Sequence, residues 1–330
     1  MVTVHASTSP LVVDQEEVAA PFQEALLEVA DEQENLVLLA ADLSRYTDVS
    51  EFVRAYPERF VQVGMAEQNL MGVAAGLAKT GSLPLVTTYC VFATRRAYEQ
   101  VALALCTGSN PAIIAAFLPG ITTPFKATHQ GTDDLALMRN IPGMTVIDPM
   151  DATELAGALK AAARHQGVVY MRGLRGRVAR VLDPVTYEFE IGASYQLRDG
   201  ADIGVISTGL ASQWALEAAE LAQQRGREFA VLHVPTIKPI DADCIAAFAR
   251  RYPAVVTVEN HNRTGGLGSA VAEVLSDIGR GPALHRLGVP DQWPAAGSLA
   301  YIREQLGLDA EGLVASIESA YRSVVEEDVK

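Results

Sequence analysis

The sequence predicts an α/β protein of two doubly wound domains, each built around a mostly parallel sheet. Two observations carry that expectation. Short, wholly apolar runs suited to strands buried on both faces alternate with amphipathic helical segments, and the alternation lapses once near the middle of the chain before resuming. The length agrees, because 330 residues with 49% hydrophobic side chains can fill more than one core.

Taken in order, a helix is expected over 15–31, with Val18, Phe22, Leu26 and Val29 on one face, and a buried strand over 36–40. The run 66–79 places Leu70, Val73, Ala74 and Leu77 at helical spacing, so Glu67 falls in its first turn, where the helix dipole favours a carboxylate. Further strands are expected over 85–88, 112–116, 144–147 and 168–171. Asp151 and Glu154 between the last two have the form of a capping box with Asp as the cap. Basic, glycine-containing and acidic stretches then suggest a linker over 176–201, dividing the chain into domains at 1–175 and 202–330. The second domain resumes with strands over 203–207, 229–234 and 254–259 and ends in helices over 299–325. The first dozen residues and the acidic C-terminus are expected to fray.

A formal charge of -14, from 26 Lys+Arg against 40 Asp+Glu, argues against a general nucleic-acid or anionic-membrane surface, since phosphates would be repelled. No apolar run is long enough for a membrane helix, and the N-terminus lacks the basic and apolar regions of a signal peptide, which points to a cytoplasmic protein. Cys90, Cys106 and Cys244 are odd in number and lack metal-ligand spacing, so buried thiols are expected rather than disulfides or a zinc site.

The chemistry-bearing segments are Val63-Gly64-Met65-Ala66-Glu67-Gln68-Asn69-Leu70 and, downstream, Thr88-Tyr89-Cys90-Val91-Phe92 leading into Arg96-Ala97-Tyr98-Glu99-Gln100. Ala41-Asp42-Leu43 precedes them. Thr128-His129-Gln130, Asp134-Leu135-Ala136-Leu137-Met138-Arg139, Ile141-Pro142-Gly143-Met144, Arg172, Glu259-Asn260 and Gly265-Gly266-Leu267-Gly268-Ser269 follow. In this order and spacing, over nearly the whole length, they resemble the C-terminal half of a transketolase, as found in two-subunit transketolases.

The resemblance implies a pyrimidine-binding domain of the thiamine diphosphate-binding fold, followed by a transketolase C-terminal domain. It also implies transfer of a two-carbon ketol unit from a ketose donor to an aldehyde acceptor. Glu67 matches the glutamate that hydrogen-bonds the ring nitrogen of the cofactor's aminopyrimidine and favours its imino tautomer. The hard chemistry belongs to the cofactor, while the protein supplies orientation and electrostatics. Phe92 matches the aromatic that stacks on the aminopyrimidine, with Tyr89 beside it, and Asp42 matches an acidic residue near the thiazolium side. Asp42 also reads as an ordinary helix cap after a strand.

The Gly-Asp-Gly motif with which thiamine enzymes anchor magnesium and diphosphate is absent from this sequence. The resemblance therefore implies that the Mg2+ ligands come from a partner, an N-terminal transketolase subunit, in an α2β2 assembly with active sites at subunit interfaces. The glycine-rich start at 265–268 reads as close packing of a helix rather than as a phosphate loop.

At the substrate end, His129 matches a channel histidine that bonds donor or acceptor oxygens, and Arg172 matches an arginine that binds the acceptor phosphate. Two positions depart from the family. Phe125 stands where an aspartate recognises a substrate hydroxyl, and Phe117 where transketolases carry another histidine; Lys126, Arg95 and Arg96 add positive charge nearby. A site that loses its hydroxyl partner loses discrimination for that hydroxyl. A less hydroxylated or more apolar substrate is therefore expected. Two related readings stay open at this point, the β subunit of a 2-oxoacid dehydrogenase E1 component and a deoxyxylulose phosphate synthase-like enzyme. A third is a noncatalytic stabilising or regulatory subunit.

Overall fold

The computed structural model describes residues 10–108, 110–279 and 281–325. Most of the N-terminal dozen and the acidic tail, both expected to fray, lie outside the described residues. The chain opens with strand β1 (Leu11–Ala19), helix α1 (Pro21–Glu32) and strand β2 (Leu36–Ala40). The helix expected over 15–31 is thus strand as far as Ala19 and helix from Pro21. Pro21 starts α1, since its fixed φ and missing N–H suit the first helical position. The residues before it pair antiparallel with a later strand across opposite charges, Glu16 and Glu17 facing Arg180 and Arg177.

Next come α2 (Ser50–Ala55), β3 (Phe60–Gln62), α3 (Glu67–Lys79) and β4 (Leu83–Tyr89). Two π-helical stretches, Phe92–Arg96 and Gln100–Leu105, lead to β5 (Ala112–Phe117), α4 (Asp134–Arg139), β6 (Met144–Ile147), α5 (Ala152–Arg164) and β7 (Val168–Gly173). The segment expected as a linker is largely ordered. It holds β8 (Arg177–Leu182), the partner of β1, and β9 (Tyr195–Arg198). Beyond it lie β10 (Ile203–Ser207), α6 (Ala211–Gln224), β11 (Phe229–His233), β12 (Thr236–Lys238), α7 (Ala242–Ala249), β13 (Ala254–Asn262), α8 (Leu267–Asp277), β14 (Ala283–Val289), α9 (Leu299–Leu306) and α10 (Ala310–Val325).

The first sheet runs β12-β6-β7-β5-β4-β2-β3, all parallel except β12, an edge strand lent by the second half of the chain. The second runs β14-β13-β10-β11-β9, parallel except for β9. In the first sheet β3 and β4 flank β2, so the strand order reverses there. In open α/β sheets ligands bind beyond the carboxyl ends of the strands at such a point.

Side chains alternate strictly across the first sheet. Ile113, Ala115 and Phe117 of β5 face α1 and α5, whereas Ala112, Ile114 and Ala116 face a second core. That second core is continuous with Ile206, Leu232, Phe248 and Val271 of the second half, so the two domains share apolar packing. Polar contacts add to it. The Asn260 side chain accepts from Ile121 N–H (2.9 Å) and donates to the Pro119 carbonyl (3.2 Å), and Gly120, at φ 55°, leaves no room for a Cβ against Asn260. His261 donates from Nδ1 to its neighbour's carbonyl and accepts at Nε2 from Ala136 N–H. Burial, aided by Arg172, pushes its pKa down to about 4, which keeps the imidazole neutral and able to accept.

The capping expectation at α5 holds in part. The Asp151 side chain accepts from Glu154 N–H (2.8 Å), but the Glu154 carboxylate reaches back to Met150 N–H (2.7 Å) and meets His233 across the domain seam. The glycine-rich start of α8 is filled from within, as Glu259 accepts from the N–H groups of Leu267 (2.8 Å) and Gly268 (3.0 Å). An internal carboxylate already occupies that helix start, as the packing reading expects. Of the cysteines, Cys90 and Cys244 are buried and Cys106 is half-buried.

Candidate active site

The residues singled out in the sequence gather at the carboxyl edge of the first sheet. Asp42 follows β2 in the left-handed region (φ 61°) and is exposed, held by Gln62 (3.1 Å); it caps no helix, since α2 begins at Ser50. Leu118, just after β5, is also left-handed (φ 58°). Non-glycine residues held there are strained, and such strain collects at ligand sites.

Glu67 opens α3 with its side chain only 2% exposed, although Met65, Gln68 and Asn69 around it are open to solvent. The Arg96 guanidinium bonds the Glu67 carboxylate (2.7 Å) and lies 4.4 Å from the centre of the Phe92 ring. Tyr89 ends β4 and stacks on Phe92 at 5.8 Å. His129 joins them from the loop after β5, with ring centres 6.0 Å from Tyr89, 5.6 Å from Phe92 and 5.1 Å from Phe125. Its Nδ1 pairs with the Thr128 hydroxyl (2.9 Å), which leaves Nε2 without a protein partner among the described residues. Phe125 is 58% exposed and Lys126 is exposed beside it.

Three expectations fail, each for a physical reason. Phe117 is wholly buried: it shares the sheet face of Tyr89, its neighbour in register on β4, but its ring is enclosed in the core under α1 and α5, edge-on to Phe22 at 5.0 Å. Arg172 shares its face of β7 with Val168 and Tyr170 and is also buried. Its five N–H donors are all used, on Asp134 twice, Asp148 (3.1 Å) and the carbonyls of Asn260 and Gly131 (3.2 Å each). No donor is left for a substrate phosphate. Arg95 likewise directs its charge into the protein, bonding the Asp133 carboxylate and the carbonyls of Ala127 (2.6 Å) and Gln130 (3.2 Å).

The buried charges around Arg172 divide by how well each is bonded. Burial works to raise the Asp134 pKa, but Arg172 and the Tyr170 hydroxyl (2.6 Å) hold it below the ordinary value. Asp148 has a single guanidinium bond, and burial pushes it up to about 6.

Arg175, passed over in the sequence, is placed differently. It stands beyond the end of β7, exposed, with no ion pair or hydrogen bond among the described residues. It lines a cavity of about 390 Å3 between Leu118, Pro119 and Thr122 of the β5 loop and Leu210 and Gln213 at the start of α6. Burial raises the Tyr89 phenol above its ordinary value, and the Arg175 charge pulls the other way. Both faces of β7 are buried, so Arg172 inside the strand is enclosed, whereas Arg175 lies beyond the end of the strand.

A buried carboxylate and an accessible aromatic face at a switch point fit the pyrimidine half of a thiamine diphosphate site. Among the described residues no group of three or more His, Cys, Asp or Glu side chains could hold a metal. Comparison with known proteins agrees with that geometry. Residues 16–179 match the family model of the transketolase pyrimidine-binding domain, and residues 192–313 match that of the transketolase C-terminal domain.

The chain belongs to the transketolase family. A putative uncharacterized transketolase family protein of Sinorhizobium fredii is 46% identical over 92% of this chain and 89% of its own length. The 6-deoxy-6-sulfo-D-fructose transketolase subunit SqwH of a Clostridium species is 39% identical, over 89% of this chain and 91% of its own. Among solved structures, a split gene transketolase described as an inactive beta4 tetramer superposes with a TM-score of 0.83 at 39% identity, covering 92% of this chain and 97% of that one. No helix of the described residues is long and apolar enough to cross a membrane.

Proposed function

We propose that this transketolase-family chain is the pyrimidine-binding subunit of a split, thiamine diphosphate-dependent transketolase. In this reading it moves a two-carbon ketol unit from a ketose to an aldehyde, in the cytoplasm, together with an N-terminal subunit. The observation that carries the reading is the convergence of Glu67, Phe92, Tyr89 and His129 on one exposed edge of the sheet. The relative described as a split gene transketolase supports it. Thiamine diphosphate would supply the carbanion chemistry. Glu67 would hold a proton at the aminopyrimidine ring nitrogen, Phe92 and Tyr89 would pack against that ring, and Asp42 would stand on the thiazolium side. His129 would offer Nε2 to substrate oxygens, and Arg175 rather than Arg172 would take an anionic end of the substrate.

The diphosphate and Mg2+ would be held by the partner. Met65, 81% exposed beside Glu67, and Leu103, 60% exposed, are large apolar side chains on the face such a partner would cover. An α2β2 assembly follows from pairing two such half-sites.

Phe125 beside His129 keeps one of the two aromatic replacements at the site and so supports a less hydroxylated substrate. A sulfonated deoxyketose, the substrate in the name of the SqwH relative, is a concrete candidate with an anionic end for Arg175 or Lys126. The test is kcat/KM of the reconstituted complex for xylulose 5-phosphate, 6-deoxy-6-sulfofructose and apolar 2-oxo substrates. Turnover of the second or third above the first is expected. Efficient use of the ordinary sugar phosphate alone would reject the altered preference.

A further inference from the structure

The geometry points to Arg95 as the residue that positions His129, by clamping the loop that carries it and tying that loop to the second domain. The role of His129 at the substrate rests on the function proposed above; the clamp itself does not. Arg95 leaves the π-helical turn after β4 and grips the 126–133 loop at three points. Nη1 bonds the Ala127 carbonyl (2.6 Å), Nη2 bonds the Gln130 carbonyl (3.2 Å), and Nε with Nη2 forms a fork on Asp133 (2.8–3.0 Å). Ala127 and Gln130 bracket Thr128 and His129, so one planar group fixes both ends of the turn. A guanidinium can do this because its donors are held in a rigid fork.

The outer face of the same guanidinium lies 5.2 Å from the centre of the Trp293 ring, which the second domain projects and which is 63% exposed. Two hydrogen bonds run parallel to that contact, from Gln130 Nε2 to the Ala295 carbonyl and from Gly297 N–H to the Pro124 carbonyl (3.2 Å each). The loop is thus held on one side by Arg95 and on the other by the 293–297 segment. Neither contact reaches the aromatic cluster directly. Their effect on it passes through the placement of His129 against Tyr89, Phe92 and Phe125.

The test reads that placement without cofactor or partner. His129 sits among three aromatic rings, so its ring-proton resonance carries a ring-current shift, assignable among the six histidines by its loss in His129→Gln. In Arg95→Met the resonance should move towards the value of an exposed histidine, and Arg95→Lys, which keeps the charge but not the fork, should restore it only in part. Trp293→Ala, an exposed change with little risk to folding, should move it in the same direction by less.

In the reconstituted enzyme, Arg95→Met should raise KM or lower kcat for a combined loss of about 10–100-fold in kcat/KM, with cofactor affinity unchanged. An unmoved His129 resonance in Arg95→Met would overturn the proposal. Should that variant fail to fold, an unmoved resonance in both Trp293→Ala and Asp133→Asn would do so. A shifted resonance with no change in kcat/KM would retain the clamp and count instead against a substrate role for His129.

Discussion

Glu67→Gln in the reconstituted two-subunit enzyme is expected to lower kcat by about 10²–10⁴-fold, the range of a lost acid–base group. Glutamine keeps the volume and a hydrogen-bonding oxygen but cannot hold a proton for a ring nitrogen. The fold should hardly notice. The partner of Glu67 in this chain is Arg96, whose side chain is half exposed, and pairs of that kind contribute about 0–1 kcal/mol. Steady-state ketol transfer and a thermal melt of the same preparation separate the two effects. Unchanged turnover would identify the chain as a noncatalytic scaffold and withdraw the catalytic role of Glu67.

Arg172→Met is expected to cost about 3–5 kcal/mol of stability, because it leaves two buried carboxylates without their counter-charge. Asp134 and Asp148 are both almost fully buried, and the lost guanidinium also bonds two backbone carbonyls. The effect should appear in a melt of the chain alone, without cofactor or substrate. Asp134→Asn should also destabilise, since Arg172 and Tyr170 both lose a charged partner. A substrate-binding arginine behaves differently: its loss raises KM and leaves the melt in place. Arg175→Met is the matching control, with an exposed side chain and no protein partner among the described residues to abandon.

These two arginines also show what could be read in advance. Strands buried on both faces advertise themselves as apolar runs, so β2, β4, β5, β6 and β7 stand where they were expected, as do β10, β11 and β13. Of the strands that escaped notice, β3 is only three residues long, while β1, β8, β9 and β14 carry charged or polar residues and are stabilised by pairing with other segments, which local periodicity does not register. β12 is further removed still, a three-residue edge whose partner belongs to the other domain.

The gathering of Tyr89, Phe92 and His129, with Glu67 joined to Phe92 through Arg96, was legible because their neighbours carry the family's motifs; their roles are those proposed above. Phe117 and Arg172 were misplaced because matching by position did not register that β5 and β7 are buried on both faces to their last residues. The contacts of Arg95 with the His129 loop, and of that loop with the second domain, are tertiary and leave no mark on spacing.

The most direct test of the central claim is calorimetric binding of thiamine diphosphate with magnesium, first to this chain alone and then to the chain co-purified with a candidate N-terminal subunit. Binding only to the mixture is the predicted result, and Glu67→Gln should weaken it there. Tight, magnesium-dependent binding by this chain alone would reveal a diphosphate anchor within it and would contradict the split site.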